Sequence, residues 1–407
     1  TEMAAVTTAN VPVFLLISIV FGVQSGVGIL ISQYWGKKDL PSISRAIGVA
    51  AGLGVALALV IALALFLWPV QIMDLMSNKH HLSLLGAPYL RVIGFSYVFN
   101  MLSSIYVSAQ RSVENASFGM KLFGMSTVLN TGMNYLLIFG KCGFPMLGVE
   151  GAAIATFISQ AVGGVLPVFY FLNKRSTSSI HLGRAQWNGG VIRSACINGS
   201  SELMTNLSMS LVNILYNYQL LRFAGENGVA AYGVIMYAAF LFVAVFVGYA
   251  VGSAPIVSYH YGARNHAELN NLYSKSLRLI GVVAVLMTAL SMVLIPYVAR
   301  IFVGYDAELL ALTSHAFRVY ALNFFLMGFN VYGSSFFTAL GDGVTSALIS
   351  FLRTLLFQLL ALIFLPMVLG IEGVWLAVTA AEAGALCVTV LMFITKDKVF
   401  HYRKASC

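Results

Sequence analysis

Charge is what this sequence has least of. Asp, Glu, Lys and Arg make up 9% of its 407 residues against 59% hydrophobic, and the mean hydropathy is +0.87. A soluble domain carries roughly 25% charged residues, so the chain lacks the polar surface to face water on every side, and water-soluble classes are excluded. Cysteine is scarce as well. Cys196 and Cys387 lie in apolar runs, Cys142 sits in a short loop and Cys407 is terminal, which gives no disulfide framework. There is no Gly-rich phosphate loop of the form GxxxxGK[ST], which argues against ATP as the direct energy source. His80-His81, expected in an external loop beside Lys79, has no further ligands at zinc spacing. No Ser/His/Asp set or nucleophile–base pair assembles at membrane depth, so neither an enzyme nor a cofactor is expected. No cleavable signal peptide is recognisable, and the chain opens at Thr1 already close to an apolar helix.

What is present is a series of long apolar runs. Each is about 20 residues or more, enough to cross a hydrocarbon core ~30 Å thick as a helix and too long for a strand. Helices are predicted at 4–33, 46–72, 84–110, 117–139, 149–172, 191–223, 229–259, 273–302, 310–340, 344–368 and 373–395, eleven crossings in all. Between them stand turn residues such as Gly36-Lys37-Lys38-Asp39, Gly140-Lys141-Cys142-Gly143, Gly225-Glu226-Asn227-Gly228 and Gly341-Asp342-Gly343.

The net charge of +9 would suggest nucleic acid in a soluble protein, but here the charges sit in the short breaks between apolar runs. If the 34–45 loop is cytoplasmic, sixteen Lys and Arg residues fall on that side, among them Lys37, Lys38, Arg45, Lys174, Arg175, Arg184, Arg264, Arg403 and Lys404. Four fall on the other: Lys79, Lys141, Arg222 and Arg300. The positive-inside rule then predicts a cytoplasmic C-terminus.

The chain also repeats itself. Gly22, Gly26, Ser32 and Gly36 recur as Gly248, Gly252, Ser258 and Gly262, an offset of 226. Arg91-Val92 recurs as Arg318-Val319 at offset 227, and Leu147-Gly148-Val149-Glu150-Gly151 recurs as Leu369-Gly370-Ile371-Glu372-Gly373 at offset 222. Each pair falls on the same side of the membrane, so the repeats are parallel and related by an axis along the membrane normal. The prediction is an all-α polytopic membrane protein of two homologous helical lobes with a cleft between them. Residues 1–175 form the first lobe, 176–190 a cytoplasmic linker, 191–396 the second lobe and 397–407 a cytoplasmic tail. Ala4-Ala5 matches Ala230-Ala231, so nothing in the first half corresponds to 191–223. The expectation is a twelve-helix parent whose first helix this chain lacks; a natural eleven-helix protein is the other reading.

At this point the residues resemble a known family. Gly22 to Asp39, ending Ser32-Gln33-Tyr34-Trp35-Gly36-Lys37-Lys38-Asp39, is similar to the loop after helix two of multidrug and toxic compound extrusion (MATE) transporters. Tyr261-Gly262-Ala263-Arg264-Asn265 resembles their loop after helix eight, and the two Leu-Gly-[Val/Ile]-Glu-Gly segments resemble the starts of helices six and twelve. The resemblance implies a secondary transporter, coupled to Na⁺ or H⁺, that exports amphipathic, often cationic compounds from a bacterial inner membrane. A monomer in the lipid bilayer is expected, with no nucleic-acid partner. The alternatives are a lipid-linked oligosaccharide flippase of the same superfamily, which would need a strongly cationic cleft, an intramembrane enzyme, and a channel.

An ionisable group at a helix centre costs ~2.5–3.5 kcal/mol on insertion scales. Glu202, in Gly199-Ser200-Ser201-Glu202, can take a proton, Na⁺ or a cationic substrate, or can lock helix packing through neighbouring hydroxyls. The family's acid often lies further along this helix, where this chain has Ser208 and Ser210. Asn130 and Asn134 share one helix face, as do Ala152 and Thr156. These match positions that, in Na⁺-binding members, surround the ion with a carboxylate from helix one, and they are equally able to form plain interhelical hydrogen bonds. Glu382, whose repeat partner is Gln160, is either a second titrating group or the partner of Arg353. Arg91 and Arg318 sit near outer helix ends, where long side chains snorkel. Tyr232, Tyr237 and Phe240 are candidates to line a substrate cleft, since rings attract cations, or to face lipid.

Overall fold

The computed structural model describes residues 2–74, 80–172 and 189–402. These residues are helical almost throughout, and no strand occurs among them. In chain order the helices are α1 Glu2–Gly36, α2 Leu40–Leu67, α3 Pro69–Asp74, α4 His80–Ser112, α5 Ala116–Phe139, α6 Gly148–Leu172 and α7 Gly189–Gly262. There follow α8 His266–Val303, α9 Ala307–Ala321, α10 Phe324–Ala339, α11 Gly343–Phe351, a π-helical turn Leu352–Leu356, α12 Phe357–Leu369, α13 Ile371–Thr395 and α14 Asp397–Phe400.

Among the described residues nine helices are long and apolar enough to cross a membrane, and α9 with α10, bent by 46°, makes a tenth span. α7 passes through Gly225, whose φ of 61° and ψ of −150° belong to no helix, so it is two helices end to end. That backbone region is essentially open to glycine alone. Divided there, α7 brings the spans to the eleven expected.

Several boundaries differ from the sequence expectation, each for a local reason. The span predicted at 310–340 is broken at Leu322-Asn323, where the Asn323 side chain donates to the Tyr320 carbonyl and competes with the helix's own bonding. The span predicted at 344–368 contains the π-helical turn. His80 opens α4 instead of lying in a loop. Helices predicted from 46 and 273 begin at Leu40 and His266, because polar caps start them outside the apolar run. Lys79, Lys174, Arg175, Arg184, Arg403 and Lys404, and residues 176–188 of the expected linker, lie outside the described residues.

Four interhelical turns share one construction, and they carry the repeat into the backbone. A left-handed residue precedes an Asx residue: Lys38 (φ 59°) and Asp39, Glu114 (69°) and Asn115, Arg264 (56°) and Asn265, Gly341 (83°) and Asp342. Each Asx N–H donates five residues back, at 2.9 Å, to the carbonyl of Tyr34, Gln110, His260 or Phe337. This is the six-to-one bond of a Schellman motif. Asp39, Asn265 and Asp342 then accept from the N–H of Ser42, Glu268 and Thr345 and cap the next helix. The Ser42 hydroxyl and N–H hold the Asp39 carboxyl below the usual carboxylate value. Asp39 and Asn265 are 226 residues apart, Asn115 and Asp342 227.

The chain divides into two compact units, Thr1–Gly199 and Ser200–Cys407. The division falls inside α7, because its first turns pack on α1: Gly22 lies against the Gly199 carbonyl, and a Cβ on Gly26 would overlap the Ala195 carbonyl. In the first unit α4 is the central helix and touches α1, α2, α5 and α6. Met101, Ile105, Tyr106 and Ala109 of α4 meet Ile31, Ile43 and Ile47 of α1 and α2. In the second unit α10 and α13 form the centre, with Tyr216, Phe317, Phe324 and Trp375 in one core cluster and Phe336, Phe337, Phe393 and Tyr402 in another. Outward faces are apolar: Ala58, Ala62 and Leu65 of α2 point inward, while Val60, Leu63 and Leu67 are exposed. In a bilayer that face meets acyl chains and costs nothing, so the many exposed large apolar residues are those of a multi-pass membrane protein.

Candidate functional site

Two buried polar clusters, one in each unit, gather most of the residues singled out from the sequence. In the first unit the expected one-face spacing brings Asn130 of α5 to Thr156 (3.4 Å) and Ser159 (3.3 Å) of α6. Asn134 donates to the Asn130 side-chain oxygen at 3.0 Å, and the Thr156 hydroxyl donates to the Ala152 carbonyl at 3.0 Å. The Asn134 side-chain oxygen is buried and has no hydrogen-bond partner among the described residues. Such an atom costs free energy unless something else occupies its lone pairs. Ser159 joins the cluster although no spacing rule singled it out; its position three residues beyond Thr156 was the available signal.

In the second unit the cluster is ionic. Glu382 of α13 is 1% exposed and lies 3.5 Å from the Arg353 guanidinium, which is 11% exposed. Of the two readings open in the sequence, the geometry contains the pairing. Asn330 of α10 donates to the Glu382 carboxylate at 2.7 Å and to its main-chain carbonyl at 2.9 Å, and accepts from Thr389 at 2.9 Å. The π-helical turn carries Arg353, and an inserted residue of this kind re-aims the side chains beside it. The Arg353 charge also acts on Glu202 of α7, a half-buried residue. Glu382 is therefore the ion-pair partner of the guanidinium, and Glu202 lies within reach of the same charge.

The repeat partner of Glu382 makes the same bond without the charge. Asn100 of α4 donates to Gln160 of α6 at 2.9 Å, as Asn330 donates to Glu382. Asn330 and Thr389 were missed in the sequence, because a neutral side chain in an apolar run carries no sign of its partner. Beside them a chain of buried hydroxyls links Ser350, Ser334, Ser346 and Thr338, with Ser201 at 3.5 Å from Thr338.

The remaining candidates do not join these clusters. Tyr232 is buried, stacked on Tyr216 at 4.8 Å between ring centroids, with its hydroxyl donating to Asn213. Tyr237 and Phe240 share an exposed face of the same helix, 75% and 73% accessible, so the three aromatic residues do not line one surface. Ser208 is buried and bonded to the Met204 carbonyl. Arg91 lies 5.9 Å over the Phe66 ring, and Arg318 is exposed. No group of three or more His, Cys, Asp or Glu residues able to hold a metal ion occurs among the described residues.

Comparison with known proteins gives a consistent picture. The model of the family described as MatE matches residues 1–136 and 203–363. The probable multidrug resistance protein YoeA of Bacillus subtilis (strain 168) is 29% identical over 173 residues, covering 42% of this chain and 37% of that protein. The multidrug export protein MepA of Staphylococcus aureus (strain MSSA476) is 22% identical over 408 residues, 98% of this chain and 87% of MepA. Among solved structures, a MATE transporter in complex with MaL6 aligns with a TM-score of 0.90 at 22% identity, covering 98% of this chain and 90% of that one. A MOP superfamily transporter from Pyrococcus furiosus, described as having a binding pocket of reverse polarity, aligns at 0.88 and 22%, covering 98% and 89%. At these identities the structural matches establish the shared two-lobed, all-helical fold.

Proposed function

The chain belongs to the MatE family of transporters, and from that premise we propose that it is a secondary antiporter exporting small amphipathic, cationic organic compounds by alternating access. One observation carries the coupling: the Arg353 guanidinium is already paired with Glu382, and Glu202 lies within reach of its charge without an ion-pair contact of its own among the described residues. One guanidinium neutralises one carboxylate, so the other is left to bind a proton or another cation, and that charge is what an ion gradient can exchange. Each elementary charge that crosses supplies ~2.3 kcal/mol per 100 mV, roughly fifty-fold accumulation with one ion per cycle.

The two acids have different work in this reading. Glu382 is held by Arg353 and Asn330, so it anchors the guanidinium. Glu202 is the exchanging group. In the first unit the unpartnered Asn134 oxygen, with the Asn130, Thr156 and Ala152 oxygens, is suited to a small hard cation such as Na⁺, supplying neutral oxygen ligands. The first five spans and the last six act as the two lobes. The membrane is a bacterial inner membrane, and the C-terminus lies on the cytoplasmic side, where the basic residues collect. The names of MepA and YoeA support multidrug export as the cargo class.

The test is Glu202→Gln in cells that express the protein. The expected outcome is loss of efflux of a cationic dye, with membrane level and melting temperature unchanged. Wild-type efflux by this variant would reduce Glu202 to a packing residue and overturn the assignment. Measuring dye efflux after collapsing the Na⁺ or the H⁺ gradient separately identifies the coupling ion.

A further inference from the structure

One face of α13 is polar from its first turn to its centre. Glu372, Trp375, Thr379 and Glu382 recur at spacings of three and four residues, which puts them on a single side of the helix. They span about 15 Å along the axis at 1.5 Å per residue, and in the proposed orientation the stripe begins at the outer side. On a helix within a bilayer, each such group needs a partner. Two of the four have none among the described residues. The Trp375 indole nitrogen and the Thr379 hydroxyl are both buried without a hydrogen bond, and Trp375 is only 1% exposed.

The neighbours of this face carry the same deficit. Tyr216 of α7, stacked on Tyr232, lies against the main chain of Val378, and its buried hydroxyl has no side-chain partner. Gln219, one turn further on, donates to the Leu362 carbonyl at 2.7 Å and leaves its side-chain oxygen unpartnered. Tyr320 of α9 lies within reach of the Glu382 charge and of both Tyr216 and Tyr232. At the outer end His315 of α9 meets Glu372 at 2.8 Å, with both side chains exposed. A buried polar atom left unpaired costs ~1–3 kcal/mol, and a water bonded to two or more such atoms is the usual remedy. The fold does not require this polarity. His315, Tyr320, Trp375, Thr379 and Glu382 correspond through the repeat to Pro88, Ile93, Ala153, Phe157 and Gln160. The same positions are nearly all apolar in the first unit and polar only where they lead to an acid.

We propose that this face of α13 is lined by exchangeable water and carries protons between the outer solvent and the Arg353–Glu382 pair. His315 and Glu372 form the mouth, where an imidazole and a carboxylate can each take a proton from bulk water. Waters bonded to Trp375, Thr379, Tyr216 and Gln219 pass it inward, each releasing one proton as it accepts another. At the end a hydronium gives its proton to the Glu382 carboxylate and becomes water, and Glu382 becomes a neutral carboxyl. Asn330 still donates to that carboxyl, but the ion pair with Arg353 is gone. The guanidinium is then free to act on Glu202. That last consequence rests on Glu202 being the exchanging group, and the water path does not.

The experiment is hydroxyl-radical footprinting of the full chain in detergent by brief X-ray pulses, which oxidise a buried side chain where a water lies beside it. Tyr216 should oxidise at least several-fold faster than Tyr106 and Tyr402, which are buried as deeply inside apolar clusters. The label on Trp375 should carry ¹⁸O within seconds of transfer to ¹⁸O-water. Thr379→Val should lower the Trp375 label several-fold and slow H⁺-driven dye efflux several-fold, and Thr379→Ser should restore both. Glu202→Gln should abolish efflux and leave the footprint unchanged, so the two readings fail separately. A Tyr216 as slow as Tyr106 and Tyr402, or a Trp375 without ¹⁸O, would overturn the proposal. So would wild-type efflux by Thr379→Val, or wild-type efflux indifferent to the H⁺ gradient. If Thr379→Val fails to fold, the wild-type footprint and its dependence on the H⁺ gradient still decide the question.

Discussion

Removing Arg353 is the sharpest probe of the ionic cluster. At 3.5 Å, Coulomb's law with an effective dielectric of about 20 gives an attraction of about 5 kcal/mol between Arg353 and Glu382. Much of that is offset by the cost of desolvating both groups, so replacing the pair together by apolar residues is expected to be close to neutral. Replacing one alone is different. Arg353→Met leaves a carboxylate at 1% exposure with only the Asn330 amide for company, a change that costs ~3–5 kcal/mol for a buried pair. Adding Glu382→Leu removes that orphaned charge, while Thr389 still bonds the Asn330 oxygen and the Glu382 main-chain carbonyl still accepts its amide. The expected order of stability is thus wild type, then the double variant, lower only by what Glu202 loses with the Arg353 charge, then Arg353→Met well below both. Unfolding of the purified protein by heat and by denaturing detergent, read as a double-mutant cycle, measures the coupling, expected to be at least ~2 kcal/mol. Single effects that add to within ~0.5 kcal/mol would refute the reasoning, because independent sites add that closely.

Two further outcomes follow from the turns and glycines. Burial alone would raise the Asp342 carboxyl, but the Lys396 ammonium at 2.7 Å and the Thr345 hydroxyl and N–H outweigh it and hold it below the usual carboxylate value. A depressed carboxylate stabilises the fold above its unfolded pKa of ~3.9 and loses that contribution as pH falls through its lower folded value. Lys396→Met should therefore cost ~1 kcal/mol at pH 7, for a pair that is partly exposed, and the deficit should shrink below pH ~4; a melting-temperature deficit unchanged at pH 3 would contradict this. Gly26→Ala places a methyl group onto the Ala195 carbonyl and should cost ~1–3 kcal/mol, whereas Gly52→Ala, which meets nothing within 4 Å, should be neutral or slightly stabilising. Equal melting temperatures for the two variants would show that α1 and the start of α7 are not in close contact.

What the sequence determined by itself was the solvent and the count. Hydropathy is additive along a chain, so long apolar runs specify spans, their number and an all-helical class without reference to any neighbour. The turns were legible for a similar reason. Gly-Lys-Lys-Asp and its echo Gly-Ala-Arg-Asn act within six residues, and the structure builds the same Schellman turn and Asx cap from each. Spacing along one helix was also enough to put Asn130 and Asn134 on a common face. Tertiary structure decided everything that needs a second helix. Only packing turned Tyr232 into the core while leaving Tyr237 and Phe240 outside. The repeated glycines are identical in sequence, yet Gly26 meets a backbone carbonyl and its partner Gly252 meets nothing within 4 Å. Glu382 and Gln160 likewise occupy matching positions, but the π-helical turn brings a guanidinium to Glu382, while Gln160 has the Asn100 amide. A side chain's partner lies on another helix at a distance no local pattern encodes, so the sequence could name the acids while only the packed helices could say which of them shares a charge.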